Sequence, residues 1–200
     1  MLVYRLLVTL SLPLDWLLFR PRVHGREHVP RRGGFILCPT HLSGFDVLAV
    51  AYAMAPRGVR NMGKNELFRR PLLGPFVRSL GAFPTRGGDG LQGGVDAAAG
   101  FAARGDAVAI YPEGARRRGR ERRPHTGAAR AALAAGVPLV PVALRGTDGW
   151  RERRRWQIAF GEPVDVSDLE SRDAGPAARE AIRRVWAAVQ NLEAALATEE

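Results

Sequence analysis

A chain of 200 residues can bury one substantial core and has no room for a second full domain. Its 46% hydrophobic and 25% charged residues are globular proportions, which excludes a disordered chain. The formal net charge of +10 at pH 7 is carried almost wholly by arginine, with Lys64 the only lysine; such a field suits nucleic acid, anionic lipid or an acidic carrier protein without choosing among them.

Residues 1–19 are strongly apolar but interrupted by Arg5, Pro13 and Asp15. The longest clean run therefore falls short of the roughly 20 residues a bilayer span needs, and no A-x-A-like cleavage site follows it. Leu2, Leu6 and Leu10 recur at helical spacing, and Trp16 and Arg20 suit a water boundary. This predicts a helix over 1–19 lying in the membrane interface, ahead of a domain over 20–200; a helix docked on the domain's own core is the alternative.

Gly33-Gly34 opens an apolar run, 35–38, that reads as a buried strand ending at Pro39. A helix is predicted over 43–55, stopped by Pro56, and a weak strand over 59–62. Residues 67–80 read as short helical pieces broken by Pro71 and Pro75, with another short strand over 80–84. Beyond a glycine-rich loop at 87–90, residues 91–103 read as a helix and 107–111 as a strand ending at Pro112. Residues 126–135 read as a helix closed by Gly136, followed by strands over 138–144 and 156–160. In 177–196, Ile182, Val185, Trp186, Val189 and Leu196 mark an amphipathic helix. The alternation predicts a single α/β domain, a central mostly parallel or mixed sheet flanked by helices.

The chemistry-bearing residues fall at strand ends. His41 lies on a strand-to-helix turn, where sites collect in α/β folds. Positions five apart in a regular helix point about 140° away from each other, so His41 and Asp46 can meet only if His41 stays outside the helix. A carboxylate on one imidazole nitrogen fixes the tautomer and makes the other nitrogen a better base, able to take a proton from an alcohol. Ser43-x-x-Asp46 also fits a capping box, in which Asp46 would satisfy a backbone donor; the spacing alone does not decide. The 107–111 strand ends in Tyr111-Pro112-Glu113-Gly114, whose glycine lets backbone approach a ligand, with Arg116 placed to bind an anionic oxygen pair. Gly81 to Arg86 delivers a second arginine at another strand end. Cys38, the only cysteine, sits among Phe35, Ile36 and Leu37 and reads as a buried small residue in a reducing compartment. His24, His28 and His125 have no partner pattern and read as surface or structural. There is no H-E-x-x-H, G-x-S-x-G or P-loop, so no metal site, serine hydrolase or nucleotide cradle is expected.

In order, these residues resemble the glycerolipid acyltransferase superfamily, whose best-known members are the lysophosphatidic acid acyltransferases. Thr40, His41 and Asp46 match its N-H-x-x-x-x-D motif; Gly81 and Arg86 match a G-x-x-F-x-x-R-like block, with Phe83 one place early. Tyr111 to Arg116 match F-P-E-G-T-R, and Val137 to Val142 the V-P-x-x-P-V strand. Lys64, Glu66 and Leu67 resemble its K-x-E-L segment and Gly127 its F-K-x-G glycine. The resemblance spans roughly residues 20–165. Thr40 replaces Asn, Ala115 replaces Thr, and His125-Thr126 replace the aromatic-lysine pair.

The resemblance implies that His41 is the general base, oriented by Asp46, and that Arg86, Glu113 and Gly114 help hold the acceptor's glycerol phosphate. Charge geometry adds Arg116. It implies acyl-CoA or acyl carrier protein as donor, with no bound prosthetic cofactor, and a lysophospholipid, by default lysophosphatidic acid, as acceptor. Glycerol 3-phosphate, another lysophospholipid and an amine-bearing lipid stay open. The expected partner is an anionic membrane surface at the cytoplasmic face, held peripherally or monotopically. A basic nucleic-acid-binding protein is the reading from another class, disfavoured because aromatics are not interleaved with the arginine runs at 116–123 and 151–155.

Overall fold

The centre of the molecule is β2 (Phe35–Pro39), buried at all five positions and hydrogen-bonded in parallel to β5 (Ala107–Ala109) on one side and β6 (Leu139–Arg145) on the other. Strands covered on both faces read as unbroken apolar runs, and these three do. The computed structural model describes residues 2–85, 91–117, 119–120, 122–149, 154–169 and 174–198. Within it a seven-stranded sheet runs β1-β7-β6-β2-β5-β3-β4, completed by β1 (Arg22–His24), β3 (Val59–Gly63), β4 (Phe83–Pro84) and β7 (Gln157–Phe160). Every neighbouring pair is parallel except β6 and β7, so β1 and β7 run opposite to the other five. The expected mixed α/β architecture is the one observed.

Alternation along β2 divides the core in two. Ile36 and Cys38 face a layer with Val108, Ile110 and Leu139, packed against small residues of α5 (Leu91–Ala103), α6 (Gly127–Ala135) and α7 (Ala174–Thr198). Phe35 and Leu37 face the other layer, with Val140, Val142, Trp156 and Ile158, closed by Ala49, Val50, Ala53 and Met54 of α2 (Asp46–Met54). Alanine dominates the first layer because α5 and α6 approach the sheet and each other closely. Burial pushes the Cys38 thiol up, so it is packing material rather than a nucleophile.

The close approach of α5 is sharpest at Gly34, where an added Cβ would overlap the Ala102 carbonyl, backbone that cannot turn aside. Gly34→Ala is therefore expected to destabilise the fold by about 3 kcal/mol or more, read as a lowered urea midpoint with unchanged m-value. The reverse choice at Gly136, φ 60, closes α6 as predicted.

Two local expectations need correction, and one strand was not expected. The helix predicted from residue 43 begins only at Asp46, because 42–45 form a turn folded around that carboxylate. Pro75 does not break a helix: it sits in the first turn of α4 (Leu73–Ser79), where its missing N–H has no helical acceptor, while Pro71 does separate α4 from α3 (Asn65–Arg69). The short, half-exposed β1 has no apolar run to announce it and exists through pairing with β7. Residues 2–19 form α1 (Leu2–Phe19), continuous through Pro13, whose Phe19 ring stacks on Trp156 at 3.8 Å.

Candidate active site

The carboxyl ends of the parallel strands β2, β3, β4, β5 and β6 open on one edge of the sheet, the end at which α/β folds assemble sites. Thr40, fully buried past the end of β2, donates its N–H to Val142 O at 3.1 Å and accepts the Leu144 N–H on its hydroxyl at 2.9 Å. The hydroxyl thus does from a Thr what a short polar acceptor must do here, and it fixes the residue before His41 to β6.

His41 is held on all sides of its backbone. Its N–H donates to Glu113 Oε1 at 3.0 Å, and its carbonyl accepts the Arg117 N–H at 2.9 Å. The ring lies 4.4 Å from the Tyr111 ring, and Nδ1 is 2.8 Å from Asp46 Oδ2. Asp46 has no exposed surface. Its Oδ2 also accepts the N–H groups of Leu42 at 2.7 Å and Ser43 at 2.9 Å, while Oδ1 accepts the Thr147 hydroxyl at 2.5 Å. An acceptor-only carboxylate meeting Nδ1 requires the imidazole proton on Nδ1, which leaves the Nε2 lone pair available. The His41 side chain is 21% exposed, so that nitrogen can meet a substrate.

Both readings of Asp46 are thereby realised together: it anchors the turn amides and it holds the imidazole. Only the carboxylate half of the capping box forms, Asp46 Oδ2 accepting the Ser43 N–H, because Ser43 Oγ accepts the Phe45 N–H at 3.0 Å and donates to the Thr147 carbonyl at 2.8 Å. Thr147 is a site residue that the sequence reading missed. It follows β6 through Gly146, whose φ of 82 turns the chain back over the first turn. A small polar residue just after a glycine at the end of a buried strand was the available signal.

The 111–114 turn brings its residues to the same place. Gly114, φ 67, lets Gly114 N–H close on the Tyr111 carbonyl at 3.0 Å, and an added Cβ would press on His125 at 3.1 Å. Glu113 is fully buried, with Oε1 on the His41 amide and Oε2 on Arg117 Nε at 2.8 Å. Both of its oxygens are thus occupied behind the His41 loop, where they hold the catalytic turn rather than open onto the surface. Arg116 is exposed and makes no ion pair among the described residues, whereas its neighbour Arg117 turns inward to both Glu113 and Glu193. Arg86 lies outside the described residues.

Beside the Tyr111 ring lies a cavity of about 440 Å³ lined by Met62, Thr85, Tyr111, Gly114, His125 and Arg130 among others, within the range of small-molecule sites. It sits between the ends of β3, β4 and β5, and Thr85 on its wall directly precedes Arg86. His125, read from sequence as surface or structural, lines it too. A larger hollow of about 970 Å³ around Arg26, Arg31 and Arg57 is at the opposite end of the sheet, away from His41.

A family model described as Acyltransferase matches residues 20–145. The chain is 28% identical over 170 residues to the 1-acyl-sn-glycerol-3-phosphate acyltransferase of Bacillus subtilis (strain 168), covering 82% of this chain and 84% of that one. Against the protein of the same name from Streptococcus pneumoniae it is 28% identical over 152 residues, covering 74% of this chain and 56% of that one. The fold is shared with the 1-acyl-sn-glycerophosphate acyltransferase PlsC from Thermotoga maritima, at a TM-score of 0.66 and 21% identity over 96% of this chain and 78% of that one. The matched region carries His41, Asp46 and the whole 111–116 turn, and the chain belongs to the Acyltransferase family: it is an acyltransferase, of the glycerolipid superfamily its motifs resemble.

Proposed function

We propose that the chain moves a fatty acyl group from the thioester of acyl-CoA or acyl carrier protein to the free hydroxyl of lysophosphatidic acid, giving phosphatidic acid. The observation that carries this is the 2.8 Å contact of His41 Nδ1 with the buried Asp46, beside an available Nε2. Nε2 takes the proton of the acceptor hydroxyl as its oxygen attacks the thioester carbonyl. Asp46 stabilises the imidazolium that forms. The tetrahedral intermediate collapses, the carbon–sulfur bond breaks, and the imidazolium returns the proton to the leaving thiolate. No covalent enzyme intermediate and no prosthetic cofactor take part. The names of the relatives support the acceptor, and Arg86, Gly114 and Arg116 remain the residues proposed to meet its phosphate. Purified protein offered lysophosphatidic acid, glycerol 3-phosphate, other lysophospholipids and an amine-bearing lipid, each with both donors, tests this. Preference for an acceptor without phosphate would overturn the assignment.

The same reading places the enzyme on the cytoplasmic side of a membrane, against an anionic surface. Among the described residues no helix is long and apolar enough to cross a bilayer. In α1 the inward face is Val8, Ser11, Leu12, Asp15 and Phe19, while Leu6, Leu10, Leu14 and Leu17 are exposed, Leu10 at 68%. A helix that rests one face on the domain through Asp15 and Phe19 and turns its leucines outward suits an apolar boundary. A second exposed set, Leu72 at 88% and Phe76 at 51%, sits among Arg69, Arg70 and Arg78 along α3, α4 and the link between them. The variant Leu10→Glu/Leu14→Glu/Leu17→Glu is expected to lower binding to vesicles containing anionic lipid by more than about 100-fold, from roughly 1.5 kcal/mol or more for each leucine. Sedimentation with vesicles measures it, and undiminished binding removes α1 as the anchor.

A further inference from the structure

The acyl-transfer chemistry uses the His41 ring, yet the residue's backbone is held as firmly as the ring. Glu113 Oε1 takes the His41 N–H, and Arg117 N–H takes its carbonyl, so both peptide groups flanking the ring are tied to the 111–117 turn. Glu113 is itself fixed by Arg117 Nε at 2.8 Å. The remaining two guanidinium nitrogens of Arg117 reach across to α7, where Nη1 meets Glu193 Oε1 at 2.5 Å and Nη2 meets Oε2 at 3.1 Å, a two-pronged pair. The same guanidinium lies 5.9 Å from the Trp186 ring. Burial works against its charge, but the hydrogen bonds it donates to Glu193 and then Glu113 outweigh that and hold Arg117 above the ordinary arginine value. Nearby, Arg145 at the end of β6 donates to the Leu196 carbonyl, fastening the next turn of α7 to the same edge of the sheet.

We infer that Arg117 and Glu193 are positioning residues for acyl transfer: through Glu113 they clamp the His41 backbone in its working place, so that the last turns of α7 belong to the active site. Neither touches the reacting atoms. Their side chains act through Glu113 on the His41 N–H, whose displacement would swing Nε2 away from the acceptor hydroxyl while leaving the imidazole and Asp46 themselves unchanged. The chain Glu193–Arg117–Glu113–His41 joins residues 152 positions apart, the difference between 193 and 41, which is why no local motif contains it. Arg117 stands one place beyond the F-P-E-G-T-R-like stretch, beside the exposed Arg116 that the motif would suggest.

The inference rests on the acyl-transfer reading for its kinetic consequence but not for its structural one, and the test uses both. Glu193→Ala replaces a part-exposed helix residue by the best helix former and is expected to fold. It should lower kcat by about 10-fold with KM for donor and acceptor unchanged, and Glu193→Gln, which can still accept from Arg117, should recover part of that loss. Arg117→Met alone leaves the buried Glu113 without its cation and risks misfolding, so it is made together with Glu113→Gln; there kcat should fall about 100-fold, the scale of a misplaced catalytic group. In each variant, amide exchange at His41, followed by nuclear magnetic resonance, should speed up while the core amides of β2 do not change. Unaltered kcat in folded Glu193→Ala, or His41 exchange that does not respond in either variant, overturns the clamp. If the wild type transfers acyl groups to no acceptor offered, the functional reading fails, and the exchange data alone decide the clamp.

Discussion

His41→Ala should lower kcat by about 10³-fold or more while KM for both substrates changes little, because general-base assistance contributes roughly 10²–10⁴-fold and no neighbouring group can replace it. Among the described residues the only other titratable side chain bonded to the ring is Asp46, buried and engaged with three further donors, so it cannot reach an acceptor hydroxyl. The variant should fold. Its ring is part-exposed, its backbone bonds to Glu113 and Arg117 do not involve the side chain, and Asp46 keeps the turn amides and Thr147. A thermal midpoint close to wild type with turnover within a few-fold of it would remove His41 as the base and leave the chemistry to be found elsewhere.

Much of this was legible in the sequence where one physical signal dominates. The strands centred on 35–38, 107–111 and 138–144 were readable because burial on both faces leaves only apolar side chains, and the helices 91–103 and 126–135 because glycines bracket alanine-rich runs. The pairing of His41 with Asp46 was legible because five-residue spacing demands a turn, and a strand end supplied one. What the sequence concealed depends on distant partners. β1 owes its existence to β7, Thr147 acts on a carboxylate 101 residues away, and Glu113 differs from a surface acid only through Arg117 and Glu193. Telling the exposed Arg116 from the inward-turned Arg117 meets the same limit. Adjacent residues on a turn point opposite ways, and only the tertiary structure says which one faces inward.

Asp46→Asn should lower kcat by about 10³-fold while the protein melts within a few degrees of wild type, and this substitution separates the two jobs of the residue. As an anchor for turn amides, Asn and Asp are nearly equivalent. The amide oxygen can take the place of Oδ2 and accept from Leu42, Ser43 and His41 Nδ1, because the opposite orientation would set an NH2 group against three donors. The NH2 group then faces Thr147, whose hydroxyl can turn from donor to acceptor without moving its oxygen. Every polar group stays satisfied and the imidazole keeps its tautomer, so the fold and the ring position survive. What disappears is the negative charge that meets the imidazolium as it forms. Two unit charges about 4 Å apart at an effective dielectric near 20 interact by roughly 4 kcal/mol, which corresponds to about a thousandfold in rate when that stabilisation exists only after proton transfer. Thr147→Val, which leaves the charge but removes one donor to it, should cost far less, about 10-fold, in keeping with a single hydrogen bond to a charged group. Full activity in a folded Asp46→Asn would mean that the carboxylate serves the turn alone, and that His41 works without an anion behind it.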